Sequence, residues 1–70
     1  MIEPQISQAI KTRRKIFKIT QTDLSEISRV SLRTVKALET GRANQTVDIL
    51  ARVLEPLGLQ LVTAERVHNE

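Results

Sequence analysis

One short segment of the chain, residues 31–41, places side chains suited to contacting DNA bases along a predicted helix. Arg33 comes early in this helix, and its guanidinium group can donate two hydrogen bonds to O6 and N7 of guanine. Leu32 could contact a thymine methyl group, although exposed leucines are common without such a role. Lys36 and Ala37 lie about one turn further along, where Lys36 can reach a base or a phosphate and Ala37 permits close approach. We therefore predict base contacts for Leu32, Arg33, Lys36 and Ala37, a solvated helix arginine being the alternative for Arg33.

Three polar residues near this helix could contact the phosphate backbone. Thr34 lies on the helix itself, and Arg42 and Asn44 lie in the loop that follows it. Hydroxyl, guanidinium and amide groups commonly donate to phosphate oxygens. We predict phosphate contacts for all three, although a solvated loop explains Arg42 and Asn44 equally well.

Few residues of this chain are suited to catalysis or metal binding. The sequence has no cysteine, tyrosine or tryptophan, and its one histidine, His68, lies near the end of the chain. Neither a glycine-rich loop nor a pair of carboxylates at a useful spacing occurs. We therefore expect no enzyme activity, cofactor, small-molecule ligand or metal. Phe17 is the one aromatic residue, which argues against binding single strands by base stacking.

The charge is unevenly distributed along the chain. Residues 11–42 carry nine Lys or Arg against three acidic residues, a balance of +6, whereas residues 43–70 carry two against four, a balance of −2. Glu3 accounts for the remainder of the net charge of +3. The first segment could therefore meet phosphates while the second serves a different surface.

The size of the chain, 70 residues, predicts one small domain. Without cysteines it has no disulfide or thiolate site to stabilise it, and small domains of this kind often oligomerise. No apolar run approaches membrane length and no signal peptide opens the chain, so we expect a cytoplasmic protein that does not bind a membrane.

Helical spacing and capping residues predict four helices. The first covers about residues 5–17, with Ile6, Ile10 and Phe17 on its apolar side. The second and third begin after hydroxyl residues that can cap them. The fourth has a late proline, so we expect an irregular last turn. The expected caps and ends are Thr20 with Asp23, Ser31, Gly41, Thr46 and Gly58, and the expected buried residues are Leu24, Ser28, Val35, Leu38, Val47, Leu50, Val53, Leu54 and Leu57.

The segment that follows Gly58 alternates apolar and polar residues like one short strand, and the chain contains no second strand to pair with it. A lone strand has unpaired backbone groups on both edges, which a second copy of the same segment can satisfy across a twofold axis. We therefore predict dimerisation through Leu59, Leu61 and Val62, with the domain at residues 5–58, the strand at 59–64 and a disordered tail at 65–70.

One set of residues recurs in a recognisable register: Ile6, Ile10, Arg14, Phe17, Ile19, Gln21, Leu24, Val30, Ser31, Val35, Leu38, Glu39 and Gly41. With these residues the chain resembles the phage-repressor (Xre/Cro) helix-turn-helix family over roughly residues 5–57. This resemblance implies an all-α fold of four to five short helices, as in lambda repressor, here followed by the predicted strand. It also implies that Gln21 anchors a phosphate, with simple helix capping as a compatible alternative, and that Arg14 and Glu39 form a structural ion pair. Lys18 and Arg29 depart from the family, in which many members have turn glycines at these positions.

The C-terminal Leu-Gly-Leu-Gln-Leu-Val is similar to that of HipB-type antitoxins, whose C-terminal strands pair in the dimer. That resemblance implies an antitoxin that binds a HipA-type kinase toxin and represses its own operon. A free-standing dimeric repressor is the second interpretation, and a protein-interaction module that does not bind DNA is the third. The basic segment and Arg33 argue against the third, and the short chain without a ligand-sensing domain favours the first over the second.

Overall fold

The computed structural model describes residues 4–42 and 44–62, and α-helices account for most of them. Within these residues the chain is all-helical, as the sequence predicts, and each predicted helix is present. The helices are α1 (Pro4–Ile16), α2 (Gln21–Ser28), α3 (Leu32–Thr40) and α4 (Val47–Leu54), and a 3-10 helix (Glu55–Leu57) continues α4.

Side-chain hydroxyls begin three of the helices, as predicted. Thr20, Ser31 and Thr46 each adopt an extended backbone conformation, and each hydroxyl accepts a hydrogen bond from the backbone N–H three residues ahead. The first turn of a helix has N–H groups without a partner in the helix, so these side chains satisfy a donor that would otherwise need water.

Left-handed residues follow α1, α2, α3 and the 3-10 helix. The φ angles are 59° at Lys18, 59° at Arg29, 76° at Gly41 and 71° at Gly58. After each of them, the next N–H turns back to a carbonyl oxygen five residues earlier, which closes the helix. These bonds are Ile19 N to Arg14 O (3.2 Å), Val30 N to Ser25 O (3.2 Å), Arg42 N to Ala37 O (3.0 Å) and Leu59 N to Leu54 O (3.0 Å).

Apolar residues from all four helices and the 3-10 helix meet in one core. Most of the residues predicted to be buried belong to it, and Leu50 packs against it while half-buried. Ser28 is also buried, and its hydroxyl donates to the carbonyl oxygen of Leu24 at 2.7 Å, so the polar group has a partner inside α2. The core residues are Ile10, Leu24, Val30, Val35, Leu38, Val53, Leu54 and Leu57.

Two residues expected on apolar faces lie outside the core. Phe17 follows the end of α1 and is 43% exposed, and the guanidinium carbon of Arg13 lies 5.1 Å from its ring centroid. Val47 is 69% exposed because it occupies the first position of α4, where it lines a groove with Ala51 and Leu61. The predicted burial of Val47 is therefore wrong, and Phe17, which was expected on the apolar side of α1, is exposed.

The predicted C-terminal strand is not supported by the described residues. Residues 59–62 have no regular secondary structure in the single chain, and residues 63–64 lie outside the described part. Backbone groups in a strand need a neighbouring strand, and residues 4–42 and 44–62 of a single copy contain none. The predicted tail, residues 65–70, and His68 within it also lie outside the described residues. None of the described helices is long and apolar enough to cross a membrane.

Candidate nucleic-acid interface

The third helix has two chemically different faces. Val35 and Leu38 are fully buried, whereas Arg33 and Lys36 are exposed. Residues of an α-helix are separated by about 100° around its axis, so these two pairs point to opposite sides of α3. The outer face thus presents a guanidinium and an ammonium group to the surroundings.

The other predicted contact residues on α3 border this outer face and are only partly accessible. Leu32, Thr34 and Ala37 are half-buried, and Ala37 packs against the core. Leu32 is therefore less exposed to solvent than the sequence indicates. The hydroxyl of Ser31 donates to Thr34 Oγ1 at 2.9 Å, which orients the Thr34 side chain toward the start of the helix.

A hydrogen-bonded network fixes the end of α3 against α1 and α2. Arg14 donates to Glu39 through Nε at 2.7 Å and Nη2 at 3.1 Å, and its Nη1 donates to the carbonyl oxygen of Ile19 at 2.9 Å. The Arg14 and Glu39 side chains are 12% and 3% exposed. Hydrogen bonding to Glu39 raises the pKa of Arg14, which burial only partly opposes. Arg14 therefore stays protonated, and its hydrogen bonds tie α1 to the end of α3 and to the turn before α2.

Gln21 belongs to the same network. Its Nε2 donates to Glu39 Oε1 at 3.1 Å, so one amide hydrogen is directed toward α3. An amide nitrogen carries two hydrogens, and the second remains for another acceptor. From the sequence we predicted a phosphate contact for Gln21 and an ion pair between Arg14 and Glu39 only. The hydrogen bond from Gln21 to Glu39 was not predicted, because nothing in the residue types indicates it.

The start of α2 is held by a complete capping box. Asp23 N–H donates to Thr20 Oγ1 at 2.9 Å, and Thr20 N–H donates to Asp23 Oδ2 at 2.9 Å. The backbone hydrogen bond from Thr20, reinforced by its side chain, lowers the pKa of Asp23 below its ordinary value. The capping box fixes the position of Gln21, the first residue of α2.

The loop after α3 has a fixed beginning. Arg42 N–H bonds to Ala37 O at 3.0 Å, and the Arg42 side chain is exposed. Asn44 is exposed as well, and residue 43 between them lies outside the described residues. The backbone of Arg42 is therefore fixed at the C-terminal end of α3, while its side chain is exposed.

Sequence reasoning also missed a second fixed arginine. Arg13 Nε donates to the carbonyl oxygen of Leu57 at 3.1 Å, which ties α1 to the end of the 3-10 helix. In the sequence Arg13 is one of several cations in a row, and nothing distinguishes it from its neighbours. The end of the 3-10 helix is therefore held against α1.

Together, two capped helices joined by a tight turn, with cations on the outer face of the second, define a helix-turn-helix DNA-binding domain. A helix-turn-helix family model, HTH_3, matches residues 10–63, which is most of the chain. The chain belongs to this family of Xre/lambda-repressor-like proteins. Comparisons with curated proteins and with solved structures found no match.

Family membership indicates a sequence-specific DNA-binding regulator, and the family is generally non-enzymatic. The wider resemblance predicted from the sequence is therefore confirmed. The narrower one, to HipB-type antitoxins, stays a prediction.

Proposed function

We propose that α3 enters the major groove of an operator and that Arg33 recognises a guanine there. The observation that carries this proposal is the exposure of Arg33 and Lys36 opposite the buried Val35 and Leu38. In helix-turn-helix proteins the N-terminal residues of the second helix contact base edges. Arg33 is the second residue of α3, so it lies at the end of the helix that enters the groove.

The residues beside Arg33 complete the proposed contact surface. Leu32 contacts a thymine methyl group with the accessible part of its side chain, and Ala37 allows the helix to approach closely. Lys36 contacts a base or the adjoining phosphate. Around them, Gln21, Thr34, Arg42 and Asn44 bind phosphates and fix the orientation of α3 on the duplex.

A symmetric dimer is the second part of the proposal. Leu61 is 36% exposed and Val62 is 74% exposed, and Leu59 packs only partly against the core. Grooves lie on both sides of this segment: the one against α1 is mainly apolar, and the one against α4 also contains Arg52 and Glu55. A second copy that pairs with residues 59–64 would cover these side chains. Two recognition helices related by a twofold axis would then contact half-sites about 34 Å apart.

The third part concerns a protein partner. Because of the resemblance to HipB-type antitoxins, we propose that the regulator neutralises a kinase-like toxin and represses its own operon. Ile16 and Ile27, 59% and 58% exposed, are the apolar side chains that could join such a contact, ordinary exposed surface residues being the alternative. The alternative is a dimeric repressor that has no such partner and uses the same DNA interface.

Replacing Arg33 with alanine tests the DNA-binding proposal. We expect a loss of about 1–3 kcal/mol on an operator selected from a randomised duplex pool, with relaxed preference at one position of each half-site. Arg52→Gln is the control because it removes one exposed positive charge on α4 and keeps a long polar side chain in the groove there. Equal losses on operator and random DNA would contradict base recognition by Arg33.

Co-expression with the neighbouring genes tests the partner. The tagged chain would be purified in high salt and co-purifying proteins identified by mass spectrometry. A stoichiometric kinase-like protein supports the antitoxin proposal, and its loss on Ile16→Glu/Ile27→Glu substitution would locate the contact. Recovery of the dimer alone would favour the free-standing repressor.

A further inference from the structure

Four of the described helical segments, α1, α2, α3 and the 3-10 helix, end with a left-handed residue, but two kinds of residue occupy these positions. Gly41 and Gly58 end α3 and the 3-10 helix, whereas Lys18 and Arg29 occupy the same left-handed conformation after α1 and at the end of α2. Glycine adopts positive φ without strain, whereas a residue with a Cβ is strained there. Lys18 and Arg29 therefore reduce the stability of the folded domain relative to glycine.

Nothing within the described residues shows a structural gain that offsets this strain. Both side chains are exposed, and neither forms an ion pair with a described residue. Cations are not among the residue types enriched at positive φ, which are asparagine, aspartate and histidine. Persistent strain of this kind is often associated with function.

The positions of the two cations relate them to the DNA interface. Lys18 lies two residues before Thr20, which caps α2, and Arg29 lies two residues before Ser31, which caps α3. Two peptide units span at most about 8 Å, so each cation is close to the beginning of a helix of the helix-turn-helix unit. Arg29 thus adjoins the end of α3 that carries Arg33, and Lys18 adjoins Gln21. Both belong to the basic segment of the chain, residues 11–42.

We propose that Lys18 and Arg29 bind phosphates of the DNA backbone and that their strained conformation is retained for this contact. The inference rests on the proposed operator binding and adds two contacts to it. Each residue contributes a positive charge that displaces a counterion from the duplex, so its contribution is independent of base sequence and is greatest at low salt. Arg29 also extends the cationic surface toward the turn between α2 and α3.

Glycine substitution separates this role from a structural one because the two effects have opposite signs. Lys18→Gly and Arg29→Gly should each raise Tm by a few degrees, since the strain is relieved at some cost in unfolded-chain entropy. Each should also weaken binding to a synthetic mixed-sequence duplex. The slope of log K against log salt should become shallower by about 0.9 for each bound chain and each substitution.

Charge-retaining and distant substitutions are the controls. Lys18→Arg and Arg29→Lys should preserve the salt slope, and Arg52→Gln on α4 should leave it unchanged. Unaltered duplex affinity and slope in a glycine variant would overturn the assignment for that residue, and so would weaker binding accompanied by a lower Tm. If the wild-type chain binds no duplex, the proposed function itself fails. If it binds and Arg33→Ala alone has an effect, only this inference fails.

Discussion

The helix-turn-helix unit, residues 20–41, and the C-terminal segment, residues 59–62, are held in place to very different extents. In the former, hydroxyl caps begin both helices, left-handed residues end them and the core residues are buried. In the latter, Leu59 packs partly against the core while Leu61 and Val62 remain accessible. Contacts within one chain thus determine the first region, and they determine only the beginning of the second.

This difference suggests a division of roles between the two regions. A recognition helix must keep its orientation before it meets DNA, because base contacts require fixed geometry. A segment that pairs with another copy can instead obtain its order from that copy. The network of Arg14, Gln21 and Glu39 is the clearest expression of the first requirement, since it joins α1, α2 and α3 within one cluster.

Removing Glu39 should have the largest effect on the preformed region. Glu39→Ala leaves Arg14 nearly buried without its partner and removes the acceptor of Gln21. We expect a loss of about 3 kcal/mol in the free energy of unfolding, measured by chemical denaturation. For a domain of this size that is a large share of the total stability.

A double replacement separates the cost of leaving the Arg14 charge without a partner from the cost of losing the hydrogen bonds themselves. Arg14→Met/Glu39→Leu removes both ions, so it should be considerably more stable than Glu39→Ala. If the single and double variants are equally destabilised, the cost does not come from an uncompensated Arg14. If Glu39→Ala is as stable as wild type, the ion pair does not hold the helices together.

Substitutions in the C-terminal segment, residues 59–62, should weaken dimerisation and leave the folding of the monomer unchanged. Leu61→Asp places a charge on an accessible side chain, so the monomer should keep its helical content. We expect the dimer dissociation constant to rise at least about tenfold, or 1.4 kcal/mol, by sedimentation equilibrium. Gln60→Asp adds the same charge at the neighbouring exposed position and should have a smaller effect. A wild-type chain that is monomeric, or a Leu61→Asp dimer of unchanged affinity, would contradict pairing through this segment.

How far the sequence predicts this molecule depends on whether a feature is local. The caps at Thr20, Ser31 and Thr46 and the left-handed Gly41 depend on residues within one turn, and the sequence predicts all four. Burial of Leu24, Val35 and Leu38 follows from helical spacing. These features could be predicted without knowing how the helices pack against one another.

Features that depend on packing between helices could not be predicted in this way. Phe17 and Val47 satisfy the apolar spacing but lie at helix ends, where the core does not reach them. The bonds from Gln21 to Glu39 and from Arg13 to Leu57 join residues distant in sequence. At the interface, helical spacing in the sequence predicts which residues of α3 face outward. The strained conformation of Lys18 and Arg29 could be established only from their backbone φ angles.

The smallest predicted effect concerns the pH dependence of the cap on α2. The pKa of Asp23 is lowered in the folded state, so its carboxylate stabilises the fold above its unfolded pKa, near 3.8, and this contribution is lost as the pH falls through the folded value. The Tm of Asp23→Asn should therefore lie below that of wild type at neutral pH and converge with it in acid. Thr20→Ala should cost about 1 kcal/mol and keep much of the acid-dependent loss, because the backbone N–H that bonds to Asp23 remains. A Tm difference between Asp23→Asn and wild type that is constant with pH would mean that the carboxylate charge plays no part in capping α2.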